Sequence, residues 1–223
     1  MPSRLFVVAG CARSGLGFTS RILTALGAPC GHEDVFNPPA YECGATLMWP
    51  HNLAGDASWL VGPVLGKLPE RTVVLHQVRH PLATIHGLHS SGFFERATSH
   101  RSFVQDILPE TRRGDSLVRC MRFWLEWNRM IEGAADYEDL VYQRFAVEEF
   151  LDARICEIVA LLGLARDVST SRRVLQAIPG VGRAADQHGM TWDKLPGGDL
   201  RDELIETAEG YGYGESLKRD VGA

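Results

Sequence analysis

Lysine is nearly missing from this sequence. Lys67, Lys194 and Lys218 are the only three, against 20 arginines. Positive charge is therefore carried almost wholly by guanidinium groups, whose planar forks match phosphate and sulfate oxygens in pairs. A GC-rich coding sequence would leave the same bias. No run of about 18 apolar residues occurs, so no membrane span is expected. The apolar run in MPSRLFVVAGCARSG is too short for a secretory signal. The five cysteines, Cys11, Cys30, Cys43, Cys120 and Cys156, are odd in number and contain no CxxC pair. That argues against a disulfide framework and for a reducing, cytoplasmic setting. The net charge of -5 excludes a general nucleic-acid surface. Repeats, low-complexity stretches and linkers are also missing. Residues 1–223 are expected to form one domain, long enough to bury its own core.

What is present alternates between short apolar runs and helical spacing. Residues 4–10, RLFVVAG, predict a buried strand that Gly10 ends. Residues 18–26 place Ile22, Leu23 and Leu26 on one helical face before Gly27. CGHEDVF (30–36) is a second short segment, broken by Asn37-Pro38-Pro39. TVVLHQVR (72–79) has the continuous apolar character of a buried parallel strand, and Pro81 suits the first turn of the next helix. Residues 90–115 are polar and are expected to form an irregular or partly helical lid. Helices are predicted at 117–133, 147–163 and 199–209, and a strand at 140–145. Alternating strands and helices predict an α/β fold, three layers deep, with a central parallel sheet. Trp124 and Trp127 at helical spacing read as core, and His76 within its strand reads as a buried core histidine.

Between the first strand and helix lies Gly10-Cys11-Ala12-Arg13-Ser14-Gly15-Leu16-Gly17-Phe18-Thr19. A Gly-rich loop at a helix start aims backbone N–H groups at an anion. The nucleotide-kinase form of such a loop, GxxxxGK[ST], is not met. No lysine follows the last glycine, and no Ser or Thr stands directly after it to hold magnesium. A cation, Arg13, comes early in the loop instead. Arg13-Ser14-Gly15-Leu16-Gly17-Phe18 resembles the phosphosulfate-binding loop, [KR]-[SA]-G-T-[TG], of the sulfotransferases that use 3'-phosphoadenosine 5'-phosphosulfate (PAPS). The resemblance implies a P-loop nucleotide-kinase-like fold. It also implies that Arg13 stabilises the leaving phosphate oxygen as charge builds there, with loop residues 13–19 on the donor and no metal required. Leu16 stands where the family has Thr, so Thr19 or Ser20 is the candidate for the missing hydroxyl.

The resemblance continues at Arg79-His80-Pro81-Leu82-Ala83-Thr84-Ile85, similar to RHPLDVI of bacterial members. It implies that Arg79 pairs with the donor's 3'-phosphate; alone, an arginine there also suits a structural ion pair. The family's phosphate-binding Ser falls at Gly87, leaving His86, Ser90 or Ser91 as substitutes. Three further segments resemble small bacterial sulfotransferases: Gly31-His32-Glu33-Asp34-Val35-Phe36, Trp124-Leu125-Glu126-Trp127-Asn128, and the tail from His188 to Pro196. Arg183, after Gly180-Val181-Gly182, resembles the tail loop that closes over the 3'-phosphate. Residues 37–70 and 90–115 lie outside the resemblance and are where acceptor choice is expected to reside.

The acceptor must lose a proton as it attacks sulfur, so a general base is expected. The family places a Glu after the second strand. Glu33 is therefore the first candidate and His32 the second; a capping or ion-paired carboxylate is the plain alternative for Glu33. His80, His86 and His89, or Cys30, His32 and Cys43, have no recognised zinc spacing. The acceptor is expected to be a small molecule or glycan; sugar, phenol, peptide tyrosine and antibiotic scaffolds all fit. The product from the donor would be adenosine 3',5'-bisphosphate. Two rivals stand: a magnesium- and ATP-dependent phosphotransferase of the same fold, and a nucleotide-binding relative without chemistry.

Overall fold

The computed structural model describes residues 4–37, 49–149, 154–164 and 189–214. Its centre is a five-stranded sheet, all parallel, in the order β2-β3-β1-β4-β5. The strands are β1 (Phe6–Gly10), β2 (Cys30–His32), β3 (Gly55–Ala57), β4 (Val73–Val78) and β5 (Val141–Ala146). β1 and β4 are buried along their whole length, which is why both read as unbroken apolar runs rather than alternating ones. They pair in register from Phe6 opposite Val73 to Gly10 opposite Gln77.

The helices are α1 (Leu16–Ala25), α2 (Pro81–Ser90), α3 (Ser99–Ile107), α4 (Ser116–Glu132), α5 (Ile155–Leu161) and α6 (Asp199–Ala208), with a 3-10 helix at Trp59–Lys67. From β1 the chain steps one way to β2. From β3 it steps back across β1 to β4, then outward to β5. Right-handed crossovers put these two directions of travel on opposite faces. Accordingly α1 packs on β1, β2 and β3, whereas α2 and the 3-10 helix each pack on α4, with α4 also against β1 and β4 and the 3-10 helix against β1. The fold is α/β with a central parallel sheet. Among the described residues no helix is long and apolar enough to cross a membrane.

Several boundaries differ from the sequence reading. α1 begins at Leu16 rather than 18, because Gly15 takes a left-handed conformation (φ 97°) and starts the helix early. The stretch 90–115, expected to be irregular or partly helical, is partly helical and contains α3. The Thr98 side chain caps it by accepting from Arg101 N–H at 3.2 Å, and Val104 is buried. Within 147–163 the described helix starts at Ile155, after a turn at 147–149. β3 and the 3-10 helix fall in a stretch for which no element was expected.

His76 on β4 is fully buried, as the sequence reading has it. Its Nδ1 lies 2.7 Å from the Tyr142 hydroxyl and its Nε2 3.1 Å from Asn128 Oδ1, an acceptor, so the neutral ring carries its proton on Nε2. Burial, with the Arg144 charge adding to it, lowers the pKa to about 3 despite the Asn128 bond. An unfolded chain takes up this proton near pH 6.5 and the folded chain does not. Stability is therefore complete above pH 6.5 and falls toward pH 3, by up to about 1.4 kcal/mol per pH unit. The melting temperature of His76→Gln should decline less steeply than that of wild type between pH 6.5 and 4.5. Parallel declines would exclude His76 as the source.

Candidate functional site

In an open parallel sheet, ligands sit outside the carboxyl ends of the strands where the direction of travel reverses. Here that point is the end of β1, flanked by β3 and β4. The loop that follows is held in an unusual shape. Arg13 is left-handed (φ 71°), as is Gly15. Gly15 starts α1 with no side-chain cap, and no acidic residue occupies the first turn. The opening N–H groups of α1 are thus left to face an anion.

Gln77, buried on β4, fixes this loop from beneath. Its Nε2 donates to Ser14 O at 2.7 Å and its Oε1 accepts from the Thr19 hydroxyl at 2.5 Å. Thr19 is thereby turned into the core, and the Ser20 hydroxyl donates to Cys30 O at 2.8 Å. Both hydroxyls considered as replacements for the family's Thr are already committed within the protein. Phe18 packs on the core. Ser14 Oγ is different: it is buried at the loop with no hydrogen-bond partner.

Arg79 leaves the end of β4 toward the same loop. Its Nη1 donates to Arg13 O at 3.1 Å, and its own carbonyl accepts from Trp124 Nε1 at 3.2 Å. Gly87 on α2 lies against Arg13: a Cβ there would stand 3.3 Å from Arg13 Cβ. The place of the family's Ser is thus next to the Arg13 stem. Of the proposed substitutes, His86 Nε2 and Ser90 Oγ lie 3.3 Å apart, and the Ser91 hydroxyl donates to Leu88 O at 2.9 Å. Arg183 lies outside the described residues.

The third wall is the turn after β2. Asp56 on β3, fully buried, accepts from the backbone N–H groups of Asp34, Val35 and Phe36 at 3.1–3.2 Å. Burial pushes its carboxyl above the ordinary value, and the three N–H bonds oppose that shift. Asp34 in turn accepts from His32 N–H at 3.2 Å. Tied this way, the turn holds half-buried Glu33 in a left-handed conformation (φ 59°). The His32 imidazole lies against Gly17, where a Cβ would come within 3.1 Å of the ring. Only a glycine at the start of α1 lets the imidazole approach this closely.

These walls enclose a cavity of about 480 Å³ lined by Ala12, Arg13, Gly15, Leu16, Gly17, His32, Glu33, Trp59, Arg79, Phe93 and His100. Of the residues singled out in the sequence, Arg13, Gly15, Leu16, Gly17, His32, Glu33 and Arg79 line it together. Ser14, Phe18, Thr19 and Gly87 stand behind it. Sequence reasoning missed Gln77, Asp56, Trp59, Phe93 and His100. Gln77 carries a usable signal, since a polar side chain within a continuous apolar strand must find a partner. Trp124 and Trp127, read as core, are fully buried and also tether the site: Trp127 Nε1 donates to Trp59 O at 2.9 Å, as Trp124 does to Arg79 O.

Among the described residues no group of three or more His, Cys, Asp or Glu side chains is placed to hold a metal ion. Cys11, Cys30, Cys120 and Cys156 are free thiols. Burial raises the pKa of the first three, that of Cys120 to about 12, so none of these three is a ready thiolate nucleophile.

No protein-family model matches the chain, and no curated protein matches it. Among solved structures it is similar to the crystal structure of a sulfotransferase from Alicyclobacillus acidocaldarius. The identity is 13%, with 95% of this chain and 93% of that chain covered and a TM-score of 0.44. A likeness at that level leaves function to be read from the site.

Proposed function

We propose that the protein is a sulfotransferase that moves a sulfuryl group from PAPS to an acceptor hydroxyl. The observation that carries this is one cavity in which Arg13, Arg79 and the uncapped start of α1 face Glu33 and His32. Two cations and a helix start make a site for a ligand with more than one anionic group. The kinase alternative lacks support in the same loop. Leu16 stands where the lysine would be, and Gly17 where the magnesium-holding Ser or Thr would be.

The residues then divide by role. Arg79, at the tip of β4, holds the 3'-phosphate. Arg13 and the first N–H groups of α1 hold the 5' end. Arg13 stabilises the phosphate oxygen that leaves with the S–O bonding pair. Glu33, with His32 as the alternative, takes the proton from the acceptor oxygen as its bond to sulfur forms. The donor supplies the activated sulfuryl group. No redox step is involved.

Thermal unfolding with adenosine 3',5'-bisphosphate tests the reading. A ligand held only by the folded chain adds about 2.7 kcal/mol at 100 times its Kd, which for a chain of this size raises Tm by about 5–10 °C. The bisphosphate should give that shift without magnesium, and ATP with magnesium a much smaller one. An equal or larger shift with magnesium-ATP would overturn the assignment.

A further inference from the structure

The cavity has a second, chemically different end. Trp59 follows β3, and Phe93 and His100 come from the connection between β4 and β5. All three fall in the stretches 37–70 and 90–115 that the motif resemblance leaves uncovered, so this wall is the chain's own. The Trp59 indole is tightly held. Its ring centroid lies 5.9 Å from Phe93, 5.6 Å from His100, 5.9 Å from Phe103, 5.9 Å from Phe123 and 5.4 Å from Trp127. Phe93 is stacked on Phe123 at 5.4 Å with 13° between the planes. A wall built this way cannot fold back to let other groups approach, and it offers ring edges and faces to whatever enters. Trp59, although it lines the cavity, is only 4% exposed, so the surface it presents is a narrow strip rather than an open platform.

We infer that the acceptor is a flat aromatic alcohol, a phenol or naphthol, seated against Trp59, Phe93 and His100. This rests on the sulfuryl-transfer reading above. Ring on ring in offset or edge-on contact is favourable beyond the area it buries. A sugar brings several hydroxyls, and each one left without a partner on leaving water is unfavourable. With the two arginines engaged by the donor, the polar groups among the described lining side chains are those of His32, Glu33 and His100 and the single indole N–H of Trp59. One of these must take a proton, which leaves too few partners for a polyol and enough for one hydroxyl. The proton chemistry points the same way. A phenolic hydroxyl ionises near pH 10, about six units below water, so a modest base suffices. The phenolic oxygen bonds to sulfur, the S–O bond to the phosphate breaks with its electron pair left on the phosphate, and the phenolic proton passes to Glu33 or His32.

The experiment uses the whole chain. The first measurement is Tm with adenosine 3',5'-bisphosphate alone. Next, 2-naphthol and N-acetylglucosamine are each titrated into the bisphosphate complex by calorimetry. Their sulfation from PAPS is then compared as kcat/KM. We expect 2-naphthol to bind the complex and to exceed the sugar by at least about 100-fold in kcat/KM. Phe93→Ser should lower the naphthol kcat/KM by about tenfold or more, mainly through KM, with the bisphosphate shift kept. Should Phe93→Ser fail to fold, His100→Gln supplies the same readout from the other side of the wall. A bisphosphate shift with the sugar preferred, or with naphthol kinetics unchanged in a folded variant, overturns the acceptor assignment alone. Absence of any bisphosphate shift overturns the sulfotransferase reading and this one together.

Discussion

Arg79→Ala is expected to remove most of the rise in Tm that adenosine 3',5'-bisphosphate should give the wild-type chain. Loss of one partner from a charge-assisted pair in a partly desolvated site is worth about 2–5 kcal/mol of binding, or roughly 30- to several-thousand-fold in Kd. At a ligand concentration 100 times the wild-type Kd, even the lower figure leaves the ligand at only about 3 times the variant's Kd, and a shift of about 5–10 °C shrinks to a few degrees or less. The ligand-free Tm moves much less. Arg79 gives the folded chain one hydrogen bond, to Arg13 O, worth about 1 kcal/mol. Arg79→Lys restores the charge without the fork and should recover only part of the shift. A full wild-type shift in Arg79→Ala would remove Arg79 from the ligand site.

Glu33→Gln is expected to lower kcat by 100-fold or more while leaving the bisphosphate shift in place. Removing a general base costs about 10²–10⁴ in rate. The substitution keeps size and shape, and Gln fits the left-handed position no worse than Glu does, so the Asp56-tied turn stays as it is. His32→Asn, measured alongside, should cost less than about tenfold if Glu33 takes the proton. The reverse order of effects would hand that role to His32, whose ring lies against Gly17 at the mouth of the anion loop.

The parts of the site that could be read in the sequence are those written in local chain order. A strand stopped by Gly10, an early arginine and a glycine-started helix are neighbours along the chain, so their spacing carries their geometry. Arg79 and Glu33 were legible for the same reason, each sitting just beyond a strand end. Asp56 and Trp59 were not. β3 is Gly-Asp-Ala, without a β-branched or aromatic residue to mark it as a strand, and Asp56 matters only through the hydrogen bonds it accepts from the backbone N–H groups of residues 34–36, after the neighbouring strand. Thr19 misled in the opposite direction. Its position in the first helical turn suits an anion, but Gln77, distant in sequence, draws its hydroxyl into the core. The partly helical reading of residues 90–115 holds, although their polar surface hid where the helix lies: the apolar residues of α3, Phe103, Val104 and Ile107, face the core on one side only.

Arg13, Glu33 and Arg71 are the non-glycine residues held at positive φ among those described, and the first two line the same cavity. Each is a standing penalty of the order of 1 kcal/mol that asparagine or glycine would relieve. Endurance and chemistry therefore pull against each other at residues 13 and 33. Selection for heat resistance alone would reach these two codons early and, if residues 13 and 33 have the roles proposed above, would yield a sturdier protein that no longer turns over.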